Sequence, residues 1–306
     1  MLREKQYERK NWRSVIHMTW DPGSSEVIRI HMVPPRFLPF RKVPSIAILN
    51  GQELLPLNEA WAILFTEFAN AVNAHGAGEM SEEDLAGILD RTFAGVKKVY
   101  PQATDEMLKE DLLAITDTFR TVVRGEIPEV EIGGLSLAGY AKNMTAPHRM
   151  DLMVSAMTVN GAWHCNQKCL HCYAADQKLS EVPELSTGEW KKIIAACRKA
   201  KIPQLTFTGG EPTLRTDLCE LIKEARWFVT RLNTNGVLLS PELCANLKEA
   251  ELDSVQVTFY SDKEAVHNEL VGADNYKKTV DGIKNALAAG LNLSINTPLC
   301  TKNREY

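Results

Sequence analysis

Long apolar runs are missing from this sequence of 306 residues. The longest apolar stretches span only a few residues, as at 60–65, whereas a membrane-crossing helix needs about 20. No apolar segment follows the polar start at residues 1–5, so the sequence shows no secretion signal. We therefore expect a cytoplasmic protein without membrane partners.

An excess of positive charge is also missing. The net charge of −4 argues against a general nucleic-acid-binding protein. Apolar residues make up 44% of the chain and charged residues 24%, which is typical of a globular protein rather than a disordered one. The length predicts about two domains.

Cysteine is scarce, and its count of seven is odd. Three of the cysteines crowd into residues 165–172. This distribution favours a reducing compartment and a metal site over a disulfide framework.

The first half of the chain predicts an α+β domain. Residues 12–20 alternate between apolar and polar side chains, and residues 27–33 form a second candidate strand. Asn50-Gly51 predicts a hairpin between residues 45–49 and 53–57, because this dipeptide adopts the positive φ angles of a type I′ turn. Three amphipathic helices are expected after the N-caps Asn58, Ser81 and Thr104.

The segment 44–60, with its Leu57-Asn58-Glu59 helix start, resembles the precursor-peptide recognition domain typified by the pyrroloquinoline-quinone peptide chaperone (PqqD-like). The resemblance implies a winged-helix-like domain at 1–125 that binds a leader peptide as an added strand, followed by a linker at 126–149. A basic segment contains Arg36, Arg41 and Lys42. It is either a solvated loop or a site that attracts an acidic leader peptide. The alternative is a structural role, in which this domain only shields the second domain or mediates dimerisation.

The second half carries the motif Cys165-x₃-Cys169-x₂-Cys172. Thiolates are the natural ligands of iron–sulfur clusters, and a loop that offers three of them leaves one iron open. Structural zinc is the alternative, with His164 or His171 as a fourth ligand. The other four cysteines are expected to be small buried apolar residues.

Five candidate strands alternate with helices after residue 150, which predicts a parallel sheet with right-handed crossovers. The expected strands are 153–159, 205–208, 228–232, 255–260 and 291–296. Where a parallel sheet of this kind closes into a barrel, the functional residues lie at the C-terminal ends of the strands. The cysteine loop, residues 209–212, residues 233–236 and Ser261 all fall at such ends.

Residues 150–306 resemble the core of a radical S-adenosylmethionine (SAM) enzyme, a partial (β/α)₆ TIM-like barrel of the α/β class. The resemblance assigns a [4Fe–4S] cluster to Cys165, Cys169 and Cys172. It also implies contacts with SAM by residues at the strand ends, namely Gly209, Gly210, Glu211, Pro212, Asn233, Asn235, Ser261 and Asn296. No catalytic residue is assigned beyond these cofactor contacts.

Relatives have a sixth strand, and many that modify peptides carry further cluster cysteines after it. We therefore expect a core that is incomplete at its C-terminus, in which auxiliary clusters cannot be assessed. The resemblance predicts reductive cleavage of SAM to a 5′-deoxyadenosyl radical, hydrogen abstraction from a ribosomally made precursor peptide, and a flavodoxin or ferredoxin as the reductant. The alternatives are a radical SAM enzyme for a small molecule or a folded protein, and a non-catalytic zinc-stabilised binding module.

Overall fold

A computed structural model describes residues 2–20, 27–38, 41–76, 80–130, 146–159, 162–172 and 182–305, with the backbone alone for residues 36–38, 41, 42 and 162. The chain divides into two compact units, Met1–His148 with Arg198–Pro203, and Arg149–Cys197 with Gln204–Tyr306. Across the described ranges, no helix has the length and apolar character that crossing a bilayer requires.

The first unit contains a four-stranded antiparallel sheet in the order β1-β2-β5-β6 and a separate two-stranded hairpin, β3–β4. Asn50 and Gly51 have φ angles of 47° and 72°, which confirms the predicted turn between β5 and β6. The strands are β1 (Ile16–Trp20), β2 (Ile28–Val33), β3 (Arg36–Leu38), β4 (Arg41–Val43), β5 (Ser45–Leu49) and β6 (Glu53–Leu57).

The described part of this unit contains four helices, and the three predicted N-caps are confirmed. Asn58 accepts a hydrogen bond from the Trp61 amide at 2.9 Å, Ser81 and Asp84 form a capping box, and Thr104 caps the last helix. Capping satisfies amide groups that the first turn of a helix leaves without partners. The helices are α1 (Leu2–Asn11), α2 (Glu59–His75), α3 (Glu82–Lys97) and α4 (Asp105–Val123).

The core of the first unit lies between its sheet and its helices. Trp12, Phe65 and Phe119 are buried, and the Phe65 and Phe119 rings meet edge to face at 5.0 Å. Two elements were not predicted: the helix α1, and the hairpin β3–β4, whose segment we had interpreted as a loop. The basic side chains of that segment lie outside the described residues, as do residues 131–145 of the predicted linker.

The second unit is built on a five-stranded parallel sheet, as predicted. Its strand order follows the chain, β7-β10-β11-β12-β13. The first strand begins and ends earlier than the predicted 153–159, and Thr158–Val159 forms a small antiparallel pair with Ala162–Trp163. The strands are β7 (Arg149–Ser155), β8 (Thr158–Val159), β9 (Ala162–Trp163), β10 (Gln204–Gly209), β11 (Val229–Thr234), β12 (Ser254–Thr258) and β13 (Leu293–Asn296).

Helices connect the parallel strands, and one of them was not predicted. The helix α8 follows β12 and ends at Gly272, whose φ of 63° is the left-handed conformation that glycine adopts without strain. The helices are α5 (Thr187–Lys199), α6 (Leu218–Glu224), α7 (Pro241–Glu249), α8 (Glu264–Val271) and α9 (Tyr276–Ala288), with a 3₁₀ turn at Pro212–Leu214.

The two faces of the parallel sheet differ in polarity. One face consists of fully buried apolar side chains such as Phe207, Leu232 and Val257. The opposite face is half-buried and polar, and includes Asn233 and its β12 neighbour Gln256. Because strand residues alternate between faces, this polar face lines the inside of the partial barrel.

Helix α9 packs directly against the backbone after β11. A Cβ atom on Gly282 would lie 2.0 Å from the carbonyl oxygen of Gly236, and Gly236 itself has a φ of 78°. Neither position therefore tolerates a side chain, since no flexible group is present to move aside.

We expect Gly282→Ala to lower the free energy of unfolding of the second unit by about 1–3 kcal/mol, the usual cost of overpacking. Gly188→Ala is the matched control, because a Cβ at that exposed helical position meets no atom within 4 Å. Urea denaturation followed by circular dichroism measures both variants. Equal midpoints for the two variants would contradict the close helix–strand packing.

Candidate active site

A cavity of about 870 Å³ opens at the C-terminal ends of the parallel strands. All three motif cysteines line it, together with backbone of Gly209 and Gly210. Its size falls within the range of small-molecule and cofactor sites, roughly 300–1,000 Å³. The position agrees with the expectation that functional residues gather at this end of a barrel.

The cysteine loop is anchored on the C-terminus of α8. The amides of Lys168 and Leu170 donate to the carbonyl oxygens of Val271 and Leu270, each at 2.9 Å. A Cβ on Gly272 would lie 2.5 Å from the Lys168 carbonyl oxygen, so glycine is required here for space as well as for its positive φ. The end of α8 thus satisfies its carbonyl groups with the backbone of the loop.

The three thiols are half-buried and not in disulfides. Burial raises the pKa of Cys165 to about 11, although a hydrogen bond with the Gln167 backbone acts to lower it. Burial, reinforced by the neighbouring Cys172, also raises the pKa of Cys169. The thiols of Cys165 and Cys169 are therefore protonated near neutral pH, and a bound metal must displace those protons.

The start of the loop is held by the glycine pair after β10. The Glu211 amide donates to the His164 carbonyl at 2.9 Å, and the Gly210 amide donates to the Ser155 carbonyl at 2.8 Å. A Cβ on Gly210 would stand 2.2 Å from the His164 carbonyl oxygen. The structure thus gives Gly210 a role that the sequence did not reveal: close packing against the residue that precedes Cys165.

Glu211 lines the cavity, and its carboxylate accepts four hydrogen bonds from the protein. Its predicted contact with SAM stays a prediction. Oε1 accepts from the Thr213 amide at 3.0 Å and from the hydroxyls of Thr213 and Thr234 at 2.5 and 2.6 Å. Oε2 accepts from the Asn235 amide at 2.8 Å. Burial raises the pKa of this carboxyl, and the four donors oppose the shift. Glu211 therefore joins the ends of β10 and β11.

Asn233, Asn235 and Asn296 all line the cavity. The side-chain nitrogen of Asn235 donates to Oδ1 of Asn166 at 2.6 Å, and its side-chain oxygen accepts from the Val237 backbone amide at 3.0 Å. Asn235 therefore links the turn after β11 to the cysteine loop. The Asn233 Oδ1 atom is buried and has no hydrogen-bond partner among the described residues. Such an atom needs a donor, which a ligand in this cavity can provide.

Two predicted SAM contacts do not line the cavity. Ser261 is buried, and its hydroxyl accepts from the Lys263 amide at 3.0 Å just before α8. Pro212 is buried at the start of the 3₁₀ turn. Ser261 closes a local turn, and Pro212 fixes the φ angle at which that 3₁₀ turn begins. Their contact with SAM stays a prediction.

Several lining residues were missed by the sequence analysis. Tyr260 reaches the cavity from the residues after β12, and Asp151, Thr208, Gln256 and Thr258 lie on the polar face of the sheet. The period-two alternation along each strand could have identified the last four, once the inner face was known. Tyr260 lies beyond the strand and offers no such signal.

A buried ionic network lies behind the cysteine loop. His164 contacts Glu184 at 2.8 Å, and Arg215 lies 3.3 Å from the same carboxylate. Arg215 also forms a two-pronged pair with Asp217, at 2.8 and 2.7 Å. Burial alone would raise the pKa of Asp217, but hydrogen bonds from Arg215 and Thr187 outweigh it and leave the pKa lowered. The network ties residue 164, which precedes the first cysteine, to the segment before α5.

The donor set fits an iron–sulfur cluster with SAM beside it. Three thiols share one cavity wall, and the unpartnered Asn233 oxygen shares the same cavity. In the part of the chain that the structure describes, no three His, Cys, Asp or Glu side chains meet at the spacing of a single metal ion. In a cluster, by contrast, each thiolate binds an iron of its own.

Comparisons with known proteins agree with this geometry. Residues 163–305 match the sequence model of the radical SAM superfamily. Probable GTP 3′,8-cyclases are 31% identical over 136 residues in Thermococcus kodakarensis and 37% identical over 143 residues in Sulfurisphaera tokodaii. The matched segments cover 44% and 45% of this chain, and equal shares of those relatives, so the chain spans less than half their length.

A solved structure is similar across both units. SuiB of Streptococcus suis bound to S-adenosylmethionine aligns with a TM-score of 0.51 at 16% identity, covering 89% of this chain and 57% of that chain. This likeness shows the fold alone. The family match over residues 163–305 supports an enzyme of the radical SAM superfamily, a family whose cofactors are a [4Fe–4S] cluster and SAM.

We expect Cys165→Ala, Cys169→Ala and Cys172→Ala each to abolish the cluster, because none of the three ligands is spare. Anaerobically reconstituted wild type should contain about four irons per chain, measured by iron and sulfide analysis. The buried Cys244 is the matched control, and Cys244→Ala should keep its iron. Full iron loading of the triple variant would refute the ligand assignment.

We expect Gly210→Ala to reduce iron loading as well as SAM affinity, because the added Cβ displaces the His164 carbonyl and with it Cys165. Gly188→Ala again serves as control. Iron content and equilibrium binding of SAM separate the two effects. Normal iron content in Gly210→Ala, with only SAM affinity lost, would mean that this glycine serves the ligand rather than the loop.

Proposed function

We propose that this radical SAM superfamily enzyme abstracts hydrogen from a ribosomally made precursor peptide whose leader is bound by the first unit. The observation that carries the proposal is the outer edge of β6, which pairs with no further strand among the described residues of this α+β unit. A peptide can add to such an edge as a further strand, with main-chain hydrogen bonds for affinity and side-chain pockets for register. The PqqD-like, winged-helix-like assignment of this unit is part of the proposal.

The β6 edge is available for pairing at a defined position. Pro56 lies opposite Ile46 in the β5–β6 ladder. Proline is tolerated within a strand where its missing N–H would point away from the neighbouring strand. Leu54, two residues earlier, has the same orientation, so its N–H and C=O groups face outward. Leu54 is therefore the residue through which we expect a leader to pair.

The opposite edge of the sheet is less suitable. The side chain of Asn73 on α2 donates to the main-chain carbonyl of His17 on β1 at 2.6 Å. This bond occupies a main-chain acceptor that an added strand would use. The difference between the two edges favours β6 as the docking strand.

In the second unit, Cys165, Cys169 and Cys172 would hold the [4Fe–4S] cluster, and Asn233, Asn235 and Asn296, which line the same cavity, would bind SAM. When bound, these cofactors supply the one-electron reductive cleavage of SAM that yields the hydrogen-abstracting 5′-deoxyadenosyl radical. The chain orients the ligands through the Glu211 and Gly272 contacts. The polar inner face offers Asp151, Gln256 and Thr258 for a substrate.

A reductant is also required, and we propose a flavodoxin or ferredoxin, because iron–sulfur potentials reach about −700 mV at the low extreme. The free thiols favour a cytoplasmic location, where they stay reduced.

A small-molecule substrate is the second candidate. The observation that favours it is the name of the two curated relatives, probable GTP 3′,8-cyclase, at 31% and 37% identity. Those alignments cover less than half of this chain. In this reading the first unit does not bind substrate.

We expect Leu54→Pro to abolish leader binding, because it removes the remaining outward N–H of β6 while leaving the β5–β6 ladder intact. Leu54→Ala is the matched control, since it shortens the side chain but keeps the N–H. The measurement is titration of the reconstituted full chain with the precursor peptide encoded beside it, followed by 5′-deoxyadenosine release with peptide or with GTP.

Binding to wild type and Leu54→Ala, and not to Leu54→Pro, supports a leader on β6. Absence of binding to folded wild type up to about 100 μM, a range in which a docking strand should be detected, would remove the peptide proposal. GTP-stimulated release of 5′-deoxyadenosine without any effect of peptide would establish the second candidate.

A further inference from the structure

Tyr260 is the one aromatic hydroxyl among the described residues that line the cavity. The side chain is 4% exposed and packs with Leu270 and Val271 against Cys169. Its hydroxyl lies 2.7 Å from Nε2 of His171, and the two rings meet edge to face at 4.9 Å. A residue from beyond β12 thereby contacts two members of the cysteine loop.

The chemistry of these three groups fixes the direction of the hydrogen bonds once metal is bound. Cys169 is then a thiolate, which accepts hydrogen bonds and cannot donate them. A charged acceptor binds a donor more strongly than a neutral imidazole does. The Tyr260 proton is therefore directed to Cys169, and the Tyr260 oxygen accepts from the N–H of His171.

We propose that Tyr260 is a positioning residue that donates a hydrogen bond to the cluster thiolate of Cys169 and raises the reduction potential of the cluster, with His171 polarising its hydroxyl. A donor to a cluster sulfur withdraws negative charge and stabilises the reduced state. Burial strengthens the effect, because little water competes for the sulfur. The proposal depends on the cysteine assignment and not on the identity of the substrate.

The surroundings of Tyr260 support a role beyond packing. Beneath it, His267 is fully buried and accepts from the Tyr260 amide at 3.4 Å. The side chain of Asn303 also donates to the Tyr260 carbonyl at 2.8 Å. The backbone is thus held from two sides while the hydroxyl faces the cysteines.

The test is the midpoint potential of the reconstituted full chain, measured by redox titration followed by electron paramagnetic resonance. Tyr260→Phe removes the hydroxyl and keeps the ring, and should shift the potential to a more negative value with iron content unchanged. Tyr276→Phe is the matched control, because that hydroxyl donates to the Asp262 carbonyl at 3.0 Å and does not line the cavity.

His171→Phe should shift the potential in the same direction by a smaller amount. The double variant should match Tyr260→Phe alone, because both changes act through one hydrogen bond. An unchanged potential in Tyr260→Phe, or additive shifts in the double variant, would overturn the proposal. Loss of iron in Tyr260→Phe would also overturn it, by showing a structural role. Failure of the wild type to form a cluster would instead refute the cysteine assignment itself.

Discussion

The close approach of the Gly210 backbone to His164 is the constraint on which the cavity depends. It brings the end of the second parallel strand within 2.9 Å of the carbonyl that precedes Cys165. Glycine alone permits this distance, because any Cβ would occupy the position of the carbonyl oxygen. The first strand joins the same contact through Ser155.

The remaining walls of the cavity are positioned by contacts that begin next to Gly210. Glu211 extends the contact to the third strand through its hydrogen bonds to Thr234 and Asn235. Within the loop, the backbone at Lys168 and Leu170 is bound by the end of α8. The loop is thereby held at its start and at its middle before any cofactor binds, which lowers the ordering cost of cofactor binding.

Local signals made much of the fold predictable. Asn50-Gly51, the N-caps Asn58, Ser81 and Thr104, and the alternation of strands and helices after residue 150 each depend on residues close together in the chain. The cysteine spacing indicated the resemblance to radical SAM enzymes for the same reason.

The rest depends on contacts between distant segments. The four donors to Glu211, the packing at Gly210 and the approach of Tyr260 to His171 join residues up to 89 positions apart. A single sequence holds no local pattern for such pairs. The short elements α8 and β3–β4 were missed because weak periodicity cannot distinguish them from loops.

The central claim is that the cavity holds a [4Fe–4S] cluster with an iron that is open to SAM. Electron paramagnetic resonance of the reduced, reconstituted full chain, recorded with and without SAM, tests it most directly. The account predicts a reduced-cluster signal whose shape changes when SAM is added, because SAM binds the open iron. A signal that stays the same at saturating SAM, or no cluster signal at all, would contradict it.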